Sequence, residues 1–143
     1  MQQDKPRFGP LIGQAGRRWR QVIDQRLQNV AVTEAGLAPL VALSRAGKPM
    51  RQKDLAAALS LDTSSLVRIL TRLESNGLVA SSADPEDGRA KALTVTAEGE
   101  VLAQQALTIS RSVESHLLEG LDDERVEIAR EVLQHLLLRL EAL

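Results

Sequence analysis

The chain of 143 residues contains no cysteine, and Phe8 and Trp19 are its only aromatic residues. The absence of cysteine excludes disulfides, thiolate zinc sites, cysteine nucleophiles and thiol-based redox sensing. A core with so little aromatic bulk must be built from Leu, Val, Ile and Ala, and this composition favours helices over sheets. We therefore expect one mainly helical domain, with room for short appendages, because the length falls in the range of about 100 to 200 residues.

Long hydrophobic runs are also missing. No stretch approaches the roughly 18 consecutive apolar residues of a membrane helix, and residues 1–10 are polar and charged rather than a basic segment followed by an apolar one. These absences predict a cytoplasmic protein with no membrane partner.

Enzyme signatures are absent from the sequence as well. An enzyme would need a nucleophile with a base, convergent carboxylates, metal ligands or a glycine loop that binds phosphate. Asp84, Glu86 and Asp87 are clustered, but three carboxylates beside an arginine are ordinary chemistry for a solvated turn. His116 and His135 are too few and too far apart to indicate a metal site. We expect no catalytic residue, no cofactor and no metal.

Charge is strongly segregated along the chain, although the net charge is only -1. Residues 5–26 carry six basic side chains against one acid, whereas residues 98–143 carry ten acids against four arginines. The overall charge therefore neither favours nor excludes a nucleic-acid partner, and a basic face remains compatible with it.

Apolar side chains recur every three or four residues in residues 11–30, which predicts a first amphipathic helix. Thr33 can cap a second helix that stops at the glycine and proline of residues 47–49. Pro39 lies inside that pattern, so we expect a bend or a late start of the second helix.

A tight helix-turn-helix follows, with a first helix over Gln52–Leu59 and a second over about residues 63–76, capped by Asp62 or Thr63. Short strand-like runs at residues 78–80 and 92–95 then flank a turn and predict a hairpin, or wing, over about residues 78–95. Thr96 caps a long helix, and a break at residues 121–123 precedes a last one. The predicted fold is mainly α with a small β-hairpin.

The second helix of this pair has the proportions of a helix that enters the major groove of B-DNA, which is about 12 Å wide. Small polar side chains at its N-terminal end would allow close approach to base edges, and an arginine one turn later can reach guanine or a phosphate. We predict DNA contacts from this helix at Thr63, Ser64, Ser65, Arg68 and Arg72. The start of the first helix favours a phosphate, so we predict positioning contacts from Arg51, Gln52 and Lys53.

The hairpin tip is basic beyond Gly88, where Arg89 and Lys91 follow. A wing of this size can place an arginine in the narrow and strongly negative minor groove. We expect Asp87 to orient the Arg89 guanidinium through a charge-assisted hydrogen bond.

Three segments together resemble the MarR family: LVRILTRLESNGLV at residues 66–79, DPEDGRAK at residues 84–91 and LTVTAEG at residues 93–99. With RWR at residues 18–20, IDQRL at residues 23–27 and Thr33, the chain is similar to the SlyA branch over nearly its whole length. Two positions depart from the pattern, because many relatives carry arginine where this chain has Ser81 and Gly88. The wing contacts are therefore expected to be weaker or to depend on Arg89 alone.

The resemblance implies a winged helix-turn-helix homodimer that binds duplex DNA at a pseudo-palindrome as a transcriptional regulator. Residues 1–46 would form N-terminal dimerisation and support helices, residues 47–95 the DNA-binding domain and residues 96–143 C-terminal dimerisation helices. An intramolecular three-helix core is the alternative use of the apolar outer helices. A winged-helix module for protein–protein contact, without sequence-specific DNA binding, is the alternative function.

The family also implies a small phenolic or other anionic effector bound between the dimerisation helices and the winged domain. In this chain Arg17, Arg18 and Arg20 could supply a cation, and Trp19 and Ile23 could supply apolar walls. The alternative for this arginine–tryptophan–arginine run is a packed tryptophan between exposed charges.

Overall fold

The structure, a computed structural model, describes residues 4–143, so Met1 to Gln3 of the predicted N-terminal segment lie outside it. Six helices and three short strands form the fold. In chain order they are α1 (Phe8–Arg26), α2 (Glu34–Ala46), β1 (Met50–Arg51), α3 (Gln52–Leu59), α4 (Thr63–Ser75), β2 (Val79–Ala83), β3 (Lys91–Val95), α5 (Ala97–Leu117) and α6 (Asp123–Glu141). The predicted class, mainly α with a small β-hairpin, is confirmed.

Two compact units make up the chain, Met1–Ser110 and Arg111–Leu143. In the first unit α2 packs against α3, α4 and β3. Aliphatic side chains form its core, as the composition predicts, and the most deeply buried are Ile23, Leu40, Leu43, Leu55, Leu66 and Leu78. The second unit contains the end of α5 and all of α6, which begins where the Asp122 carboxylate accepts a hydrogen bond from the Arg125 backbone N–H at 2.8 Å.

Local signals set the ends of α1 and α2. Thr33 accepts a hydrogen bond from the Gly36 N–H at 3.3 Å, and Gly47 ends α2 in the left-handed region at φ 63°, as predicted. The predicted end of the first helix near residue 30 is wrong, because α1 ends at Arg26 and residues 27–31 form turns.

Of the bend or late start expected at Pro39, the late start is wrong, because α2 begins at Glu34 and continues through the proline; the bend stays a prediction. A proline without an N–H leaves the carbonyl one turn earlier, that of Ala35, without a helical donor. Ala35 is exposed, so water can take that role, while the Pro39 ring is buried in the core.

The sheet has the order β1-β3-β2, with both pairs antiparallel. β2 and β3 are the predicted hairpin, with Val79 opposite Val95 and Ala83 opposite Lys91. The strand β1, in which Arg51 lies opposite Ala92, was not predicted. A strand of two residues is too short to show any alternation, so only its pairing with β3 defines it.

The base of the wing is held against the start of α5. The Thr96 hydroxyl donates to the Gly77 carbonyl at 2.7 Å and accepts from the Gly99 N–H at 3.0 Å, which confirms Thr96 as a helix cap. A Cβ atom on Gly99 would lie only 2.1 Å from the Leu78 carbonyl oxygen. Only glycine therefore allows this close approach of α5 to the wing.

Candidate nucleic-acid interface

The turn between α3 and α4 is short and tightly bonded. Ser60 adopts the left-handed conformation at φ 52°, and the Leu61 N–H donates back to the Ala56 carbonyl at 3.0 Å. This motif closes α3 and lets α4 begin only a few residues later. Main-chain hydrogen bonds thus close α3, the supporting helix, at Leu61, two residues before α4 begins.

α4 has one buried face and one exposed polar face. Leu66, Leu70 and Leu73 are at most 5% exposed and fix the helix to the core. The opposite face is exposed and contains the predicted contact residues Ser64, Ser65, Arg68 and Arg72, together with Thr71. The fifth predicted residue, Thr63, is also exposed but lies three residues before Leu66, nearer to the buried side of the helix. The structure therefore brings all five predicted α4 residues to the surface of one helix, which we call the recognition helix.

Asp62, not Thr63, is the N-cap of the recognition helix. Its Oδ2 accepts from the Ser64 hydroxyl at 2.6 Å and from the Ser65 backbone N–H at 3.3 Å. These hydrogen bonds, that of the Ser64 side chain first, lower the pKa of Asp62 from its ordinary value to about 2. The Ser64 hydroxyl proton is thus used within the protein, and its oxygen remains an acceptor.

The cap predicts a specific pH dependence of stability. Because the folded pKa of Asp62 is about 2 and the unfolded value is about 3.9, the ionised cap stabilises the fold above about pH 4 and loses this effect as the pH falls toward 2. Asn also caps helices but does not titrate. The difference in urea midpoint between wild type and Asp62→Asn, at one protein concentration, should be constant from pH 7 to 5 and shrink below about pH 4. A constant difference down to pH 3 would contradict this assignment.

Arg68 and Arg72 lie beside a groove of about 610 Å³ within the first unit. Its other walls come from the end of α1, the loop after it and the start of α2, including Asp24 and Thr33. Both arginines are exposed, and neither takes part in an ion pair within residues 4–143. Their guanidinium groups are therefore available to a ligand.

The wing turn, residues 84–90, is closed by its own aspartates. Oδ1 of Asp84 accepts from the backbone N–H groups of Glu86 at 2.7 Å and Asp87 at 3.3 Å. The Asp84 N–H donates to the Ala90 carbonyl at 2.9 Å, which joins the two ends of the turn. Arg89 and Lys91 are exposed beyond these bonds.

The predicted role of Asp87 needs a correction. Its Oδ1 accepts from the backbone N–H of Arg89 at 3.1 Å, and no ion pair joins the two side chains among the described residues. Asp87 therefore fixes the main chain at Arg89 and does not bind its guanidinium group. The backbone of the turn places the Arg89 N–H, rather than the end of the Arg89 side chain, within hydrogen-bond distance of the carboxylate.

Arg51 forms a pair that the sequence does not predict. Its Nε donates to Oδ2 of Asp84, and the side chains are 29% and 10% exposed. This bond holds the pKa of Asp84 below and that of Arg51 above its ordinary value. Gln52 and Lys53 lie in the first turn of α3, half-buried and exposed respectively, and the phosphate contacts of all three residues stay predictions.

Ser81 is one of the two wing positions at which the sequence departs from the arginine expected by resemblance. Its hydroxyl donates to Glu74 Oε1 on the recognition helix at 2.7 Å. Neither this contact nor the Arg51–Asp84 pair has a sequence signal, since the partners lie 7 and 33 residues apart and meet only through the fold.

The four residues predicted to bind an effector differ widely in exposure. Ile23 is completely buried, so it cannot line an open site in this structure. Arg20 donates through Nε to Glu34 Oε2 at 3.1 Å, Arg17 is exposed and Trp19 is half-buried. None of the four lines the groove beside Arg68. For Arg17, Trp19 and Arg20 the effector role stays a prediction.

Two other kinds of feature are absent from the described part of the chain. Residues 4–143 contain no group of three or more histidine or carboxylate side chains placed to hold a metal ion. No helix within them is long and apolar enough to cross a membrane.

The fold and this site define a winged helix-turn-helix protein. The MarR family model matches residues 32–91. The transcriptional regulator PA3341 is 34% identical with a TM-score of 0.81, covering 96% of this chain and 100% of that one. CouR from Rhodococcus jostii RHA1, bound to p-coumaroyl-CoA, is 27% identical with a TM-score of 0.79 over 90% of each chain.

A mutant MarR from E. coli complexed with operator DNA shares the fold, with 24% identity and a TM-score of 0.82 over 90% of this chain and 92% of that one. The chain belongs to the MarR family.

Proposed function

We propose that this protein is a homodimeric transcriptional regulator of the MarR type that binds a pseudo-palindromic operator. The recognition helix lies in the major groove and the wing in the adjacent minor groove. The observation that carries the proposal is the exposed polar face of the recognition helix, on which the arginines have no acidic partner within residues 4–143. The opposite face is buried, so this helix can be presented to DNA without losing its support.

Dimerisation rests on two apolar surfaces that this chain leaves uncovered. At the start of α1 the exposed side chains are Phe8, Leu11 and Ile12. On α6 they are Ile128, Val132, Leu133, Leu137, Leu138 and Leu140. Surfaces of this kind on a protein in water indicate an interface. We assign residues 1–46 and 96–143 to dimerisation and support, and residues 47–95 to DNA binding.

The finer points of the assignment are proposals. We propose a member of the SlyA branch, without enzyme activity and acting in the cytoplasm where its operator lies. CouR binds an acyl-CoA, which supports release from DNA by a small anionic or phenolic effector. Arg17, Trp19 and Arg20 are the candidate contacts, and the effect of such a compound on operator binding tests this directly.

Salt dependence distinguishes this function from a winged-helix module that binds only proteins. Phosphate contacts release counterions, so the logarithm of the affinity for DNA should fall linearly with the logarithm of the salt concentration. The slope should be about −0.9 for each phosphate that the protein neutralises. An apolar protein interface lacks this slope. If duplex DNA binds weakly and without a salt slope, the alternative function replaces the proposed one.

Arg89 is expected to recognise the shape of the minor groove. The guanidinium is exposed at the wing tip and unbound, and a groove narrowed by A·T base pairs has enhanced negative potential. Arg89→Ala should weaken binding most on operators with A·T-rich flanks and reduce the salt slope by about one unit for each cation removed from the DNA. Arg89→Lys should restore only part of the affinity, because ammonium is more strongly hydrated.

The measurement is a titration of two operators that differ only in their flanks, at several salt concentrations. Equal losses on both flanks would show that Arg89 does not recognise minor-groove shape, and wild-type binding by Arg89→Ala would show that Arg89 does not contact DNA.

A further inference from the structure

The Arg51–Asp84 pair connects the two parts of the molecule that are proposed to bind DNA. Arg51 ends β1 and directly precedes α3, while Asp84 follows β2 and begins the wing turn. In the sheet, Arg51 lies opposite Ala92 of β3, and Ala92 lies opposite Ser82 of β2. The arginine side chain therefore reaches from one edge of the sheet, across the central strand, to the residue that leaves the other edge.

Asp84 uses both carboxylate oxygens. Oδ2 accepts from Arg51, and Oδ1 accepts from the N–H groups of Glu86 and Asp87. Asp87 in turn accepts from the Arg89 N–H. A continuous series of hydrogen bonds thus leads from the residue before α3 to the backbone of Arg89.

Among the described residues, the wing turn is held otherwise only by two main-chain hydrogen bonds, from the Asp84 N–H to the Ala90 carbonyl and from the Ala90 N–H to the Asp87 carbonyl. Residues 85–89 are all exposed, and Asp84 and Ala90 are half-buried. A segment with so few buried contacts samples many positions unless polar bonds restrict it, and ordering it on binding weakens affinity. The lowered pKa of Asp84 and the raised pKa of Arg51 mean that the pair stays charged at neutral pH.

We propose that Arg51 and Asp84 are positioning residues that hold the wing tip at a fixed place relative to the helix-turn-helix before DNA is bound. The inference rests on the proposed function, because it concerns how the wing meets DNA. It is an alternative to the phosphate contact expected of Arg51, since the arginine is directed to the wing and is 29% exposed.

Replacing Asp84 distinguishes a positioning residue from a simple surface acid, because the two predict opposite changes in DNA affinity. Removing an acid from a DNA-binding surface strengthens binding by simple electrostatics. If Asp84 positions the wing, Asp84→Asn should instead weaken binding about three- to tenfold on the operator with A·T-rich flanks, as expected for the added ordering on binding. The loss should be smaller on the other flank, where Arg89 contributes less.

Glu86→Gln is the matched control, because it removes an acid from the same turn while keeping the backbone N–H that donates to Asp84. It should bind as tightly as wild type or slightly more tightly. Arg51→Gln should weaken binding at least as much as Asp84→Asn, because it also removes a cation, and the double variant should be no weaker than Arg51→Gln, since each single change already breaks the pair.

Amide hydrogen exchange of the free protein supplies a measurement independent of DNA. The N–H groups of Asp84 and of residues 86–90 should exchange faster in Arg51→Gln and Asp84→Asn than in wild type and Glu86→Gln, with the exchange of α4 unchanged. Tighter DNA binding by Asp84→Asn, additive losses in the double variant, or unchanged exchange of the turn would overturn the proposal. Failure of wild type to bind any duplex would instead reject the proposed function.

Discussion

A chain truncated before Glu131 is expected to be monomeric and to lose most of its affinity for a two-half-site operator. Truncation removes the apolar end of α6, including Leu133, Leu137 and Leu140, which are 47%, 57% and 63% exposed in the single chain. A dimer gains affinity because its second half-site binds at a high effective concentration. Loss of the dimer should therefore weaken operator binding on the order of 10²- to 10⁴-fold, as measured by sedimentation and titration.

Point substitutions keep this prediction testable if the truncated chain does not fold. At 3.6 residues per turn, Leu133, Leu137 and Leu140 lie on one side of α6, and Gln134 lies in the middle of its polar side. Leu137→Glu should give a folded monomer with the same loss of affinity, whereas Gln134→Glu should remain a dimer. A truncated chain or a Leu137→Glu variant that sediments as a folded dimer would disprove the assignment of α6.

Arg68→Ala is expected to reduce both operator affinity and sequence discrimination. Arg68 lies on the exposed face of the recognition helix, one turn beyond Ser64 and Ser65, and forms no ion pair among the described residues. An arginine that pairs with a guanine contributes about 1 to 3 kcal/mol to discrimination. The loss per half-site should therefore be about 5- to 150-fold on the preferred operator.

Mutated operators measure the second effect. A base contact predicts that Arg68→Ala binds the preferred operator and one altered at the contacted base pair almost equally. Arg111→Ala removes the same charge from α5, about 20 Å along that helix from its start, and should leave discrimination unchanged. Weaker binding by Arg68→Ala with full discrimination would make Arg68 a phosphate contact, and unchanged binding would remove it from the interface.

Features with local causes could be predicted from the sequence. The predicted bounds of α3 agree with the structure, and the caps at Thr33 and Thr96 and the stop at Gly47 are where the sequence placed them. Each depends on a few neighbouring residues and their intrinsic preferences. The choice between Asp62 and Thr63 stayed open, because either side chain can cap a helix and only the geometry selects Asp62.

Features with non-local causes could not be predicted. β1 consists of two residues and is defined only by its pairing with β3. From the sequence, Arg51 is expected to be an unpaired cation at the start of a helix, but in the structure it pairs with the Asp84 carboxylate, 33 residues away. Asp87 beside Arg89 predicts a side-chain pair, whereas the turn delivers a backbone N–H to the carboxylate. Long-range packing forms β1 and the Arg51–Asp84 pair, whereas the Asp87 contact depends on the backbone geometry of the turn, which the sequence pattern does not show.

Selection of bound duplexes from random DNA tests the central claim most directly. Two recognition helices related by a dimer axis should recover a pseudo-palindrome whose half-sites are about 10 base pairs apart from centre to centre, or a multiple of this spacing. Recovery of such a sequence establishes binding, symmetry and sequence specificity together. Recovery of no enriched sequence, or of a single half-site without a symmetric partner, would contradict the account.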